Sequence, residues 1–273
     1  MRAHHRSCVF GLLALGIGSW AASLPGQAAD SILVEEDHAA GRLSVSGLAG
    51  TLVIEGQDRS DISLELRGSS EALERLQRTV EGDRLKLTAA PGSDGRTTVV
   101  SGRNNVVIAG PGGRATQIIG GVTTTVGGPS EPQLEVRAYV PQGAPLVVEG
   151  MVGELVVEGL DGPVELAMIS GTARLERVDG GRLAVVGGSR IAVGAATGDL
   201  VIEVRGAGDV TVDQAALGRL EVGITGSGSV DVGGSAQQAR VALTGSGNLR
   251  VDAVHERPET RVTGSGAVEI GNW

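Results

Sequence analysis

The chain has 273 residues, with 23 Lys plus Arg against 32 Asp plus Glu and a formal net charge of −9. An acidic surface disfavours nucleic acid and anionic lipid as partners, because both carry the same sign of charge. With two Trp, one Tyr and one Phe in the whole sequence, the core must be built from Val, Leu, Ile and Ala, and 45 glycines imply many tight turns.

In chain order, Arg2 and Arg6 precede an apolar run from Cys8 to about Ala22, followed by Leu24, Pro25 and the small-residue end Gly26-Gln27-Ala28. This reads as a secretory signal peptide over residues 1–28. The run is too short and too glycine-broken to cross a bilayer, which takes about 20 apolar residues, and no later segment is a better candidate for a membrane span. The product is expected in the periplasm or outside the cell. Once the leader and its two Arg are removed, 21 basic residues face 32 acidic ones, a net of −11, and no cysteine remains. Cys8 lies at the start of the leader, so neither a lipid anchor nor a disulfide is expected.

Residues 30–90 form an N-terminal β region. Leu43 and Val45, then Leu52 and Ile54, then Ile62, Leu64 and Leu66 alternate as three strands. Ser70 is placed to cap a short helix with Leu73, Leu76 and Val80 on one face, Gly82 stops it, and Leu85 and Leu87 resume strand. That helix is expected to cover the open edge of the first coil, and Trp273 either to do the same at the far end or to be a disordered terminal residue. Residues 91–132 shift to Gly, Thr, Asn and Val, and read as a surface excursion or loop, mobile or a weakly ordered hairpin.

From 138 to 271 the sequence repeats. Gly-Ser-Gly triplets begin at Gly226, Gly245 and Gly264, 19 residues apart, with looser copies at Gly206-Ala207-Gly208 and Gly187-Gly188-Ser189. Each copy reads as two short alternating strands around a glycine corner: Val222 and Ile224 lead in, and Val230 and Val232 lead out. A two-stranded unit cannot bury its apolar face alone, whereas stacked units can. The fold class is therefore all-β, a parallel β-solenoid with coils of about 19 residues and one short helix near its N-terminal end. Charge supplies the register. Glu221, Arg240 and Glu259 form one alternating column and Asp231, Arg250 and Glu269 a second, as in-register parallel stacking requires and antiparallel hairpins do not.

The corner glycines Gly206, Gly208, Gly226, Gly228, Gly245, Gly247, Gly264 and Gly266 are read as structural bends. A phosphate-binding loop needs a helix after it, but each corner here leads to another strand, and the only lysine, Lys86, is remote. Thr225, Thr244 and Thr263 then stack, as do Ser227, Ser246 and Ser265, satisfying one another and the turn backbone, or presenting hydroxyls to ice or a glycan. His38 and His255 read as solvated turn residues. Asp209 has Ser229, Asn248 and Ala267 as counterparts, so no carboxylate column forms there. No metal, cofactor or catalytic residue is expected. The weighed alternative, a carbohydrate-active enzyme, would use Asp213 with Asp252, or Glu203 near Arg205.

The phrases RLSVSGLAGTLVIEG and VRAYVP and the repeated TGSG corners together resemble the putative auto-transporter adhesin family with the head-GIN domain, over about Gly41 to Gly271. The resemblance implies a secreted or periplasmic bacterial β-solenoid without an established activity and with no catalytic residues to carry over; a protein or cell-envelope component is the expected partner. No membrane barrel is expected after the repeats, and the sequence specifies no oligomeric state.

Overall fold

The computed structural model describes residues 32–89 and 134–272, together with the backbone of four strands between residues 100 and 126. The expected leader and Trp273 lie outside the described residues. The chain runs β1 (Ile32–His38), β2 (Arg42–Ser46), β3 (Ala49–Gln57), β4 (Ile62–Gly68), α1 (Ser70–Arg75), β5 (Leu76–Glu81) and β6 (Arg84–Ala89). Four short strands follow, β7 (Val100–Gly102), β8 (Asn105–Ala109), β9 (Ala115–Ile119) and β10 (Val122–Val126). The remainder is β11 (Leu134–Pro141), β12 (Leu146–Glu158), β13 (Val164–Gly187), β14 (Arg190–Gly206), β15 (Asp209–Gly226), β16 (Ser229–Gly245), β17 (Asn248–Val254), β18 (Glu259–Gly264) and β19 (Ala267–Ile270).

From β12 onward every pairing is parallel, and about seven turns of near 19 residues stack as a β-solenoid. The burial pattern of β15 shows the cross-section. Val210 and Val212 are buried, Asp213 and Gln214 exposed, Ala215 and Leu217 buried, Gly218 and Arg219 exposed, and Leu220, Val222 and Ile224 buried. Two consecutive exposed residues break a period-two alternation, and each break marks a bend. A coil therefore has three short sides, where the sequence suggested two. The second side was obscured because most of its inward residues are small, Ala196, Ala215 and Ala236, with Leu217 the one large side chain among them. Among the described residues the buried set contains no aromatic side chain, in keeping with the composition.

The base of the stack is interleaved. β2 and β3 pair in parallel with the two halves of β12, Leu43 against Leu146 and Leu52 against Leu155. Beneath them lie β6, parallel to β2, and β11, parallel to β3. Residues 42–57 thus form a layer between β6 with β11 on one side and β12 on the other, and strand pairing runs unbroken from the N-terminal region into the repeats. Three antiparallel strands close this end: β5 against β6, β4 against β11, and β1 against β4.

The helix differs from expectation. Ser69, not Ser70, is its N-cap, accepting from the Ala72 backbone N–H at 3.2 Å, and the helix ends at Arg75. Leu73 is buried, but Leu76 begins β5, and Val80 is 46% exposed on that strand. Gly82, at φ +62°, makes the hairpin turn to β6 and does not end a helix. The β-branched pair Thr79-Val80 favours pairing with β6 over a further helical turn. Strands β7–β10, within the expected excursion, pair antiparallel as a separate four-stranded sheet.

Candidate functional site

The glycine corner joins the third side of one coil to the first side of the next, and its backbone bonds to the corner before it. Ser227 N donates to the Gly206 carbonyl at 2.8 Å, Ser246 N to Gly226 at 2.9 Å and Ser265 N to Gly245 at 3.0 Å. Two positions per corner exclude a side chain. Gly226 has φ +127°, and a Cβ there would lie 2.3 Å from the Gly206 oxygen; Gly245 and Gly264 repeat this over Gly226 and Gly245. Gly228 points its missing side chain inward, where a Cβ would lie 2.5 Å from Val204 Cγ1, as Gly247 and Gly266 do against Ile224 and Leu243. Gly206 and Gly208 are crowded in the same way, by the Gly187 carbonyl and by Val185. The corners are thus filled by neighbouring backbone and core, with no room for a phosphate.

Inward, the corner column tapers along the stack. Leu48 and the paired Met151 and Met168 are buried at the corners of early coils, and from Ser189 onward the inward corner position passes to Gly208 and Gly228. Ser189 is 1% exposed and its Oγ has no hydrogen-bond partner among the described residues. Outward, Arg205, Thr225, Thr244 and Thr263 stand in register on four successive coils. These threonines, and Ser227, Ser246 and Ser265 beside them, are exposed to solvent. The expected mutual satisfaction gives way to hydroxyls open to water or to a ligand.

In the first charge column, Glu221 pairs with Arg240 and Arg240 with Glu259 in the strand register. The guanidinium of Arg240 takes Glu259, at 3.0 Å. In the second, Asp231, Arg250 and Glu269 are aligned, but Arg250 turns to Asp252 on its own strand, at 3.7 Å. All six side chains are exposed, so these pairs hold little stability.

The residues weighed for catalysis are placed as follows. Asp213 and Asp252 share the first bend but are two coils apart, with Gly233 between them: a Cβ on Gly233 would meet the Asp213 carbonyl at 2.5 Å, and one on Gly271 the Asp252 carbonyl at 2.3 Å. Glu176 and Gly194 extend the same column, a regular alternation of acid and glycine that keeps like charges two coils apart. Asp252 Oδ2 accepts from Gly234 N at 3.2 Å and Glu176 Oε2 from Gly159 N at 2.9 Å. Glu203 is held between Arg182, at 2.6 Å, and Arg205, at 3.4 Å. A shallow cavity of about 630 Å³ opens beside Ala196 and Ala215 on the second side. In it Asp161 accepts from Gln142 at 2.7 Å and from Arg177 at 3.2 Å, and Asp179 from Thr197 at 2.8 Å. Each of these carboxylates except Asp213 is engaged by a named donor. Among the described residues no group of three His, Cys, Asp or Glu could hold a metal ion.

The histidines differ from each other. His255 is exposed in a bend, whereas His38 ends β1 half-buried, 3.3 Å from Glu36, which also takes Arg78 at 3.0 Å. Val34, Glu36 and His38 lie on the inner face of β1, so polar groups line this end of the core. No helix among the described residues is long and apolar enough to cross a membrane.

A parallel solenoid with glycine-lined corners belongs to the class of repeat proteins in which each coil packs only on its neighbours and leaves an extended outer surface. Residues 178–272 match the family described as putative auto-transporter adhesin, head GIN domain, the family that the TGSG corners resemble. No curated protein matches the chain. Similar solved structures include a putative adhesin from Bacteroides fragilis, 12% identical, covering 90% of this chain and 99% of its own, with a TM-score of 0.48. A putative adhesin from Parabacteroides distasonis is 13% identical and covers 88% and 98%, with a TM-score of 0.47. A putative lipid binding protein from the same organism is 12% identical and covers 89% and 97%, with a TM-score of 0.45.

Proposed function

We propose that the chain is an exported, non-enzymatic, adhesin-like solenoid that presents the outer side of its glycine corner to a protein or a component of the cell envelope. The observation that carries this reading is the exposed, in-register column of Arg205, Thr225, Thr244 and Thr263. Parallel pairing spaces such positions at about 4.8 Å, so a partner meets a rigid, regular array at little ordering cost. The leader supports export, and the match over residues 178–272 supports the adhesin-like role. A glycan is the second reading, favoured by the exposed threonine and serine hydroxyls; the charged column of Glu221, Arg240 and Glu259 on the same side suits a hydrated glycan better than an ice lattice.

Beads carrying the chain, mixed with purified bacterial envelopes, test the reading. Saturable retention is expected, falling at least about fivefold when Thr225→Gln and Thr244→Gln are combined, with the unfolding midpoint unchanged. Equal retention of both proteins, or none above bare beads, would remove it.

A further inference from the structure

The two ends of the stack differ. Antiparallel strands close the N-terminal end, whereas at the other end β18 pairs only with β16 and β19 only with β17. Their outer edges carry backbone N–H and C=O groups that no strand among the described residues takes up, the condition that invites pairing with another chain. The core ends there as well. Leu243 is 1% exposed, but Val262, its partner on the last coil, is 46% exposed. Thr260 is exposed above the buried Val241, and Val268 and Ile270 are half-buried above Leu249 and Val251.

Two charges on the outer face of this edge have no partner among the described residues. Arg261 stands over Ala242, and Glu269 over Arg250, which turns to Asp252. The last corner is self-complementary when a second copy runs in the opposite direction about Ser265. Antiparallel pairing centred there lays β18 of each copy against β19 of the other, with Val262 opposite Val268, Thr260 opposite Ile270, Arg261 opposite Glu269 and Thr263 opposite Ala267. Inward residues then meet inward residues, and the charges that face each other are opposite in sign. A register moved by two residues one way sets Glu259 against Glu269, and the other way sets Arg261 against Gly271. An axis through β18 alone would set Glu259 against Arg261 but leave the edge of β19 unpaired.

We propose that two copies of the chain join at their β18–β19 ends, about a two-fold axis through the Ser265 corner, so that the two cores become one. The contact uses the same surface on both copies, and it therefore closes at a dimer instead of growing into a filament. The axis at the corner also brings the exposed Thr225, Thr244 and Thr263 columns of both copies to one side of the assembly, as a surface that offers a partner two equivalent footholds. In this assembly, spin-label distances within one chain are read with labelled chains diluted in unlabelled ones.

Sedimentation equilibrium of the full chain tests the proposal. The parent is expected to be a reversible dimer with no larger species. Val262→Lys places a charge at a site that is exposed in the single chain, so it is expected to leave the circular dichroism spectrum unchanged and to abolish the dimer. Arg261→Glu and Glu269→Arg each set like charges opposite one another and are expected to raise the dissociation constant at least about tenfold, while the two combined restore it to within about threefold of the parent. That rescue is specific to pairing about Ser265, because an axis through β18 would not involve Glu269. A parent that stays monomeric at about 0.1 mM, a dimer that Val262→Lys leaves intact, a double variant no tighter than the single ones, or association that continues past two copies would each overturn the proposal.

Discussion

A Cβ on Gly226 would lie 2.3 Å from the carbonyl oxygen of Gly206, its in-register neighbour one coil earlier. That contact involves backbone on both sides, so no rotamer change relieves it. Gly226→Ala must also hold alanine at φ +127°, and the two effects together are expected to cost about 2–4 kcal/mol. Gly82→Ala is the internal comparison: its φ is also positive, at +62°, but nothing lies within 4 Å of the added atom. Only the backbone cost of about 1–2 kcal/mol should appear there. Chemical unfolding of the two variants separates collision from conformation.

Ser189 occupies the corner position that becomes glycine in later coils, and its buried hydroxyl lacks a partner among the described residues. Removing an unsatisfied polar group while keeping the Cβ avoids the penalty for burying it. Ser189→Ala is expected to raise stability by about 1 kcal/mol, read as a higher unfolding midpoint at unchanged denaturant dependence.

Arg240 lies in register between Glu221 and Glu259 on an exposed strand face. Arg240→Ala should therefore cost under about 1 kcal/mol. Arg240→Glu is expected to cost more, because it sets three acids in one column, and the excess should shrink when salt is raised from about 0.01 M to about 1 M, where the screening length falls from about 30 Å to about 3 Å. A salt-independent penalty would show that packing, and not the column, is disturbed.

The second side of the coil is built from Ala196, Ala215 and Ala236, with Leu217. Ala236→Leu adds three methylene-sized groups to a fully buried site between stacked coils. It is expected to destabilise by about 1–3 kcal/mol through overpacking, measured by thermal unfolding against the exposed control Ala242→Leu.

Much of this architecture was readable from residues alone, and the exceptions share physical causes. The 19-residue recurrence at Gly226, Gly245 and Gly264, with the sign alternation at Glu221, Arg240 and Glu259, specified parallel coils because stacking makes distant positions neighbours in a regular way. The second side stayed hidden because alanine in DQAALG gives almost no hydrophobic contrast. The placement of residues 42–57 between β6 with β11 and β12 left no local trace, since pairing partners far apart in sequence do not alter a strand's own alternation. Ser69 and Ser70 are both suitable caps, and the end of α1 was decided by the pairing of Leu76–Glu81 with β6.

The register of the stack is tested most directly by a distance across several coils. Arg174, Ala192, Thr211, Asp231 and Arg250 are successive partners on one side. Four steps of about 4.8 Å put the outer two about 19 Å apart. Spin labels on Arg174→Cys and Arg250→Cys, in a chain carrying Cys8→Ser, should show a single narrow distance near that value by double electron–electron resonance. A distance beyond about 30 Å, or a distribution without a dominant peak, would contradict in-register coils.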